Sequence, residues 1–173
     1  MAKTPNASDA QLILQLYNLR REPVMRVARK FVISEFWPQN YDEFKAVVTG
    51  YGTEPNAWFR QVLTYWNMAA AMVLQGTLNE ELFFATNGEP YFLWAKFGEY
   101  IPQARRDQVD PEFLSHLEKL TSKPAAKKRI KGLQERLAAR RALAAAASKA
   151  AHCFAVRKQH FEHGTSRCGA QHQ

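Results

Sequence analysis

Cysteine is nearly absent. The two present, Cys153 and Cys168, both fall in the last 21 residues. A pair so placed builds no disulfide framework for the chain. Histidine is equally scarce in the body, where only His116 precedes residue 150. With no cysteine and one histidine there, nucleophilic and acid–base chemistry has few candidate groups. The glycines form no Walker-type or dinucleotide-binding pattern, and no Gly-x-Ser-x-Gly elbow occurs. Long apolar runs are missing too. The most apolar window, Met68–Leu74, is far too short to span a bilayer. The opening stretch MAKTPNASDAQ is polar, with no apolar run after a basic start, so no signal peptide is expected and the expected compartment is the cytoplasm. Sustained period-two alternation is also lacking. Asn87-Gly88 suits a hairpin turn, but no alternating strand flanks it. Acidic residues, finally, are few in the C-terminal third.

That last scarcity shapes the charge map. The chain carries a net charge of +8. Residues 1–110 are nearly balanced at −1, and residues 111–173 carry +9. Such asymmetry points toward nucleic acid or another anionic surface. Apolar residues make up 46% of the chain, enough for a packed core. Nearly all of the aromatics precede residue 114, so the core is expected in the first two-thirds.

Helical punctuation organises that region. Ser8 is read as an N-cap with Asp9 in the first turn, followed by a stripe of Leu12, Ile13, Leu16 and Leu19. Pro23 suits the first turn of a second helix, with Val24, Val27, Ala28, Phe31 and Ile33 buried and Arg26, Arg29 and Lys30 wet. Trp37-Pro38 ends it. Asp42 and Glu43 open a short helix that Gly50 and Gly52 stop. Pro55 starts the longest helix, to about Leu74, whose apolar positions Trp58, Val62, Tyr65, Trp66, Ala69, Met72 and Val73 mark a central element. Thr77 or Asn79 caps the next helix, and Gly88 terminates it. Pro90 opens another, which Pro102 ends or kinks, and Asp110-Pro111-Glu112 starts one running through Leu120. The expectation is an all-α bundle of about seven helices over residues 8–120.

Residues 121–159 read as a basic helical extension. Ile130, Leu133, Leu137, Ala144, Ala147, Ala151 and Phe154 follow a 4-3 repeat that Arg140 breaks once. Residues 160–173 show no periodicity and are expected to be disordered.

The stretches LYNLRREPVMRVARKFVISEF, WFRQVLTYWNMAAAMVLQGTLNEELFF and YFLWAKFGEYIPQARR together resemble bacterial and phage helical proteins grouped as a domain of unknown function. The resemblance spans roughly residues 10–120, implies an all-helical fold and carries no activity.

Several constellations bear on function. Lys123, Lys127, Lys128, Arg129, Lys131, Arg136, Arg140 and Arg141 could neutralise backbone phosphates, since residues 121–173 carry +10. No recognition helix with a base-reading Asn or Gln beside Arg is evident. An anionic membrane surface is the weaker partner, because an alanine face buries little area in a headgroup region. His152, Cys153, His160, His163 and Cys168 lack the paired spacing of a zinc site, and Glu112 with His116 lacks the further donors of a di-metal bundle, so no metal or other cofactor is expected. Consecutive rings at Phe83-Phe84 and Tyr91-Phe92 cannot both point inward on thin helices, which suggests a surface for a protein partner. Arg20, Arg21, Arg26 and Arg29 span two helices and either cluster or pair with Glu22, Glu35 or Glu43.

The leading expectation is a non-enzymatic module that binds a protein partner or itself, with no small-molecule substrate. The alternative is sequence-independent nucleic-acid binding by the basic helix. A hydrolase or ligand binder built on a buried carboxylate would need a deep acidic pocket.

Overall fold

The computed structural model describes residues 4–107 and 110–140. Among the described residues there are helices and no strands. The chain divides into two compact units, Met1–Leu133 and Gln134–Gln173. Of the second, residues 134–140 are described and are helical. The expected tail 160–173 and the candidate metal ligands of the C-terminus lie outside the described residues.

The first unit contains α1 (Ala7–Leu19), α2 (Pro23–Lys30), α3 (Tyr41–Val48), α4 (Glu54–Leu74), α5 (Glu80–Thr86), α6 (Glu89–Phe97), α7 (Ile101–Arg106) and α8 (Ser115–Thr121). Residues 124–133 are helical as well. Proline supplies much of the punctuation: Pro23, Pro55, Pro90 and Pro102 all sit in the first turn of a helix, where the missing N–H would find no partner in any case. Pro102 therefore begins α7 rather than ending its predecessor. Gly52 and Gly76 hold left-handed backbone, at φ +84° and +73°, and stop the elements before them.

α4 is central. It packs against α2, α3, α5 and α8, and nine of its 21 residues are buried. Around it lies an aromatic core. The Phe59 ring meets Phe44 at 5.6 Å, Phe97 at 5.5 Å and Phe36 at 6.1 Å between centroids, each close to edge-on. Tyr100 stacks on Phe44 at 4.9 Å.

Three further boundaries and one helix phase differ from the sequence expectations. Asn6, not Ser8, caps α1, accepting from the Asp9 N–H at 3.1 Å while Asp9 accepts from the Asn6 N–H at 2.9 Å. The fully buried Asp9 also accepts from the Asn79 N–H at 2.8 Å, and Asn79 caps α5. One carboxylate thus joins two helix N-termini. Gly88 is the N-cap of α6 at φ −92°, because the Asn87 side chain already closes α5 by donating to the Phe83 carbonyl. α8 starts at Ser115 rather than Pro111, because Leu114 adopts left-handed backbone at φ 59°. Arg105 fixes that corner by donating to the Phe113 carbonyl at 2.7 and 3.0 Å and pairing with Glu118 at 2.6 Å.

The last difference concerns the phase of α2. Its buried positions are Met25 and Ala28, continued by Val32, whereas Val24 and Val27 are exposed. The helix runs directly into a π-helical turn, Phe31–Glu35, closed by the Phe36 N–H donating to the Phe31 carbonyl at 2.9 Å. A π-turn rotates everything after it relative to α-helical spacing. It also displaces carbonyls, and the fully buried Lys96 takes two of them, Val32 at 2.8 Å and Ile33 at 3.3 Å, with its ammonium 3.7 Å from the centre of the Trp37 ring.

The first unit extends past Leu120, because Ala126 and Ile130 are buried against Tyr91, with Phe84, Trp94, Ala95 and Leu133 around them. No described helix is long and apolar enough to cross a membrane.

Candidate functional site

Where α1 hands over to α2, two short helices separated by three residues crowd arginines together. Arg20 is the C-cap of α1, Arg21 follows it, and Arg26 and Arg29 lie three residues apart on α2. With Tyr17 they line a cleft of about 340 Å³. A second hollow, lined by Arg26, Arg29, Lys30, Ile33 and Ser34, shares two of the same arginines.

Two of these arginines meet Glu89, whose position in the first turn of α6 suits a negative charge. Arg29 Nε donates to both Glu89 oxygens at 3.0 Å, and Arg29 Nη2 lies 2.5 Å from Oε2. Trp66 Nε1, from α4, donates to Oε1 at 3.0 Å. Arg20 Nη1 approaches Oε2 only to 3.7 Å. The carboxylate is almost entirely buried, its side chain 8% exposed. Its hydrogen bonds and charge hold the Arg29 guanidinium's pKa above the ordinary value, against the opposing effect of burial.

Arg20 is held differently. Its guanidinium lies over the rings of Tyr17 (5.4 Å) and Trp66 (5.3 Å), its Nε is buried without a hydrogen-bond partner, and its side chain is 16% exposed. Arg21 lies over the Tyr17 ring at 6.0 Å. Arg21 and Arg26 are exposed and have no carboxylate partner among the described residues. The cleft thus presents four permanent cations against one carboxylate. These groups are donors and charges, suited to holding an oxyanion rather than to moving protons.

The charge cluster around Glu89 also bears on an alkaline weakness. Tyr65 donates its hydroxyl to the Leu16 carbonyl at 2.7 Å. Burial pushes its pKa up to about 12, with Glu89 adding to the shift and Arg20 and Arg29 opposing it. The folded chain therefore keeps a proton that the unfolded chain releases near the ordinary value of 10.0. Stability tied to that proton is complete below pH 10 and is lost as pH rises from about 10 to about 12. Denaturation midpoints across this window should show a steeper decline for the native chain than for Tyr65→Phe. Parallel slopes would remove Tyr65 from the account.

The sequence-predicted residues divide. Of the aromatic pairs, Phe83 and Tyr91 are buried at 0% and 1% exposure, so neither forms an outer surface. Phe84 and Phe92 are half-buried, against Tyr91 and Trp37 respectively. Among the basic residues, Arg129 is already engaged. It donates to the Phe84 carbonyl at 2.9 Å and covers the Phe84 and Tyr91 rings at 5.0 Å each. Lys123 pairs with Glu80. Lys127, Lys128 and Lys131 are exposed, as are Arg136 and Arg140 in the second unit, while Arg141 lies outside the described residues. The four arginines of α1 and α2 do cluster, but their carboxylate is Glu89. Glu35 pairs instead with Lys30, and Glu43 serves the start of α3. Glu89 and Trp66 were not read as partners, because only the tertiary packing of α6 and α4 brings them to α2.

A model of the family described as a domain of unknown function, DUF4760, matches residues 6–123. The chain belongs to this family. No curated protein and no solved structure matches it. All the residues of the arginine cleft lie within the DUF4760 match. Lys127, Lys128, Arg129, Lys131 and the rest of the basic helix lie beyond it. Among the described residues no group of three or more His, Cys, Asp or Glu is placed to hold a metal ion.

Proposed function

We propose that this DUF4760 chain is a non-enzymatic interaction module and that the α1–α2 surface binds an acidic, partly apolar segment of a protein partner. One observation carries the reading. Of the seven large hydrophobic side chains exposed among the described residues, five (Leu14, Tyr17, Leu19, Val24 and Val27) belong to the two helices that supply the arginines. Tyrosine and arginine are enriched at interface centres, and exposed aliphatic side chains on the same two helices add apolar area. The excess of guanidinium over carboxylate selects for negative charge in whatever covers them.

The basic helix supports a second reading. Lys127, Lys128 and Lys131 are exposed and have no carboxylate partner among the described residues, as phosphate contacts require. Truncation at Thr121 does not separate the two readings cleanly, since it removes Ala126 and Ile130 from Tyr91. Substitutions in the full chain do.

The test is fluorescence anisotropy with a labelled peptide alternating glutamate with leucine and phenylalanine, beside random-sequence duplex DNA and single-stranded RNA. Val24 is 60% exposed. Val24→Glu is therefore expected to change stability by less than about 0.5 kcal/mol while weakening peptide binding at least about tenfold. Nucleic-acid binding that is steep in salt and vanishes in a Lys127→Gln, Lys128→Gln, Lys131→Gln chain would move the function to the basic helix. Dimerisation abolished by Val24→Glu in light scattering would make the partner a second copy.

A further inference from the structure

We propose that the α1–α2 cleft is a phosphate subsite, shaped for the terminal oxygens of a phosphate monoester rather than for a second carboxylate. The inference rests on the interaction reading above and names the group that the arginines receive. Of the four guanidinium groups, Arg29 is committed, with three contacts to Glu89. The Arg20 guanidinium makes no hydrogen bond among the described residues. It is fixed by the Tyr17 and Trp66 rings and by one long charge contact. Arg21 and Arg26 are uncommitted at the rim of the same cleft.

Three forks therefore converge with donors to give. A carboxylate offers two oxygens in one plane and one negative charge, and Arg29 already holds one in Glu89. A phosphate monoester offers three terminal oxygens in a tetrahedral arrangement and close to two charges. It matches the number of uncommitted forks, and its near two charges come closer than a carboxylate's one to the three positive charges left over once Glu89 has neutralised Arg29.

Preorganisation points the same way. A guanidinium lying over two aromatic rings loses little side-chain freedom when an anion arrives. No lysine lines this cleft. The recognition is thus built from planar forks, which favour defined oxygen positions over a diffuse anionic surface. Tyr17, half exposed beside Arg20 and Arg21, gives an apolar wall for whatever carries the phosphate.

The experiment uses the full chain and three probes in calorimetric titration: inorganic phosphate, an acidic peptide containing one phosphoserine, and the same peptide with glutamate in that position. Arg21→Ala and Arg26→Ala are the test variants, since both side chains are exposed and tie no element together. Arg60→Ala, on an exposed arginine of α4 outside the cleft, is the control. We expect the phosphopeptide to bind at least about tenfold more tightly than the glutamate peptide. Each test variant should lose about tenfold, as for a charge-assisted hydrogen bond, and Arg60→Ala should lose nothing. Inorganic phosphate that responds to the variants while neither peptide binds would keep the subsite, assign it to a free phosphate and sink the protein-partner reading. Equal affinity for the two peptides would overturn the subsite and leave the partner reading standing. Insensitivity of every probe to Arg21→Ala and Arg26→Ala would also overturn it.

Discussion

Phe59→Ala is expected to lower folding stability by about 4 kcal/mol. Phe59 has no exposed surface and sits in the first half of α4, the helix on which α2, α3, α5 and α8 all pack. Its ring meets Phe36, Phe44 and Phe97 nearly edge-on, so truncation removes three aromatic contacts as well as buried area. Edge-to-face pairs contribute about 0.5–1.5 kcal/mol each beyond the area they bury. The rings around the gap are held by other elements, Phe36 by the segment after the π-turn, Phe44 by α3 and Phe97 by α6, so collapse into the cavity would need all three to move together. Phe59→Leu fills much of the volume and should lose about half as much. Urea denaturation with an unchanged slope and a lower midpoint is the measurement. Met68, 42% exposed on the same helix, is the comparison, with a loss below about 0.5 kcal/mol on truncation to alanine. A loss at Phe59 no larger than at Met68 would mean that the aromatic cluster is not the core.

The local chemistry of this fold was open to reading. Pro23, Pro55 and Pro90 stand at helix starts because proline's fixed φ and missing N–H fit only there, and Gly76 stands at a stop because few other residues adopt its backbone. These signals need no knowledge of distant residues. What stayed hidden depends on such residues. The phase of α2 looked as though Val24 and Val27 faced inward, because valine is the stronger apolar signal over eight residues. The outcome is set by the π-turn at Phe31–Glu35, whose displaced carbonyls are taken by Lys96, more than sixty positions away. Pro102 was ambiguous for a related reason: a proline both closes one helix and opens the next, and only the turn at Gly98–Tyr100 decides between them.

The candidate site divides along the same line. Four arginines close in sequence on two adjoining helices could be seen to cluster. Their carboxylate could not, because Glu22, Glu35 and Glu43 were nearer along the chain and Glu89, between Gly88 and Pro90, carried no signal of its own. The basic helix misled in the opposite sense. Counting charge treats Arg129 and Lys127 as equals, yet one covers two aromatic rings and the other is exposed. Charge is visible in a sequence, but its availability is decided by packing.

Glu89→Ala should therefore have two effects of opposite sign. The first is on folding. Removing the carboxylate leaves Arg29, Arg20 and the Trp66 N–H facing one another around a hole, with no anion to balance them. Breaking a buried pair from one side costs about 3–5 kcal/mol. The Arg29 side chain is 28% exposed, so the lower end, about 3 kcal/mol, is the expected loss. Glu89→Gln keeps an oxygen for Trp66 and should lose less. A double-mutant cycle with Arg29→Gln should return a coupling above about 1 kcal/mol. The second effect is on anion binding. Without Glu89, Arg29 joins the uncommitted forks, and all four cations in the cleft lack a counter-charge. The surviving folded chain should then bind inorganic phosphate more tightly than the native chain, and phosphate should restore part of the lost stability by mass action. A purely structural glutamate would give a different result, since a distorted cleft weakens folding and phosphate binding together. Thermal denaturation with and without phosphate separates the two cases, and it assigns Glu89 either to the scaffold alone or to both the scaffold and the charge balance of the site.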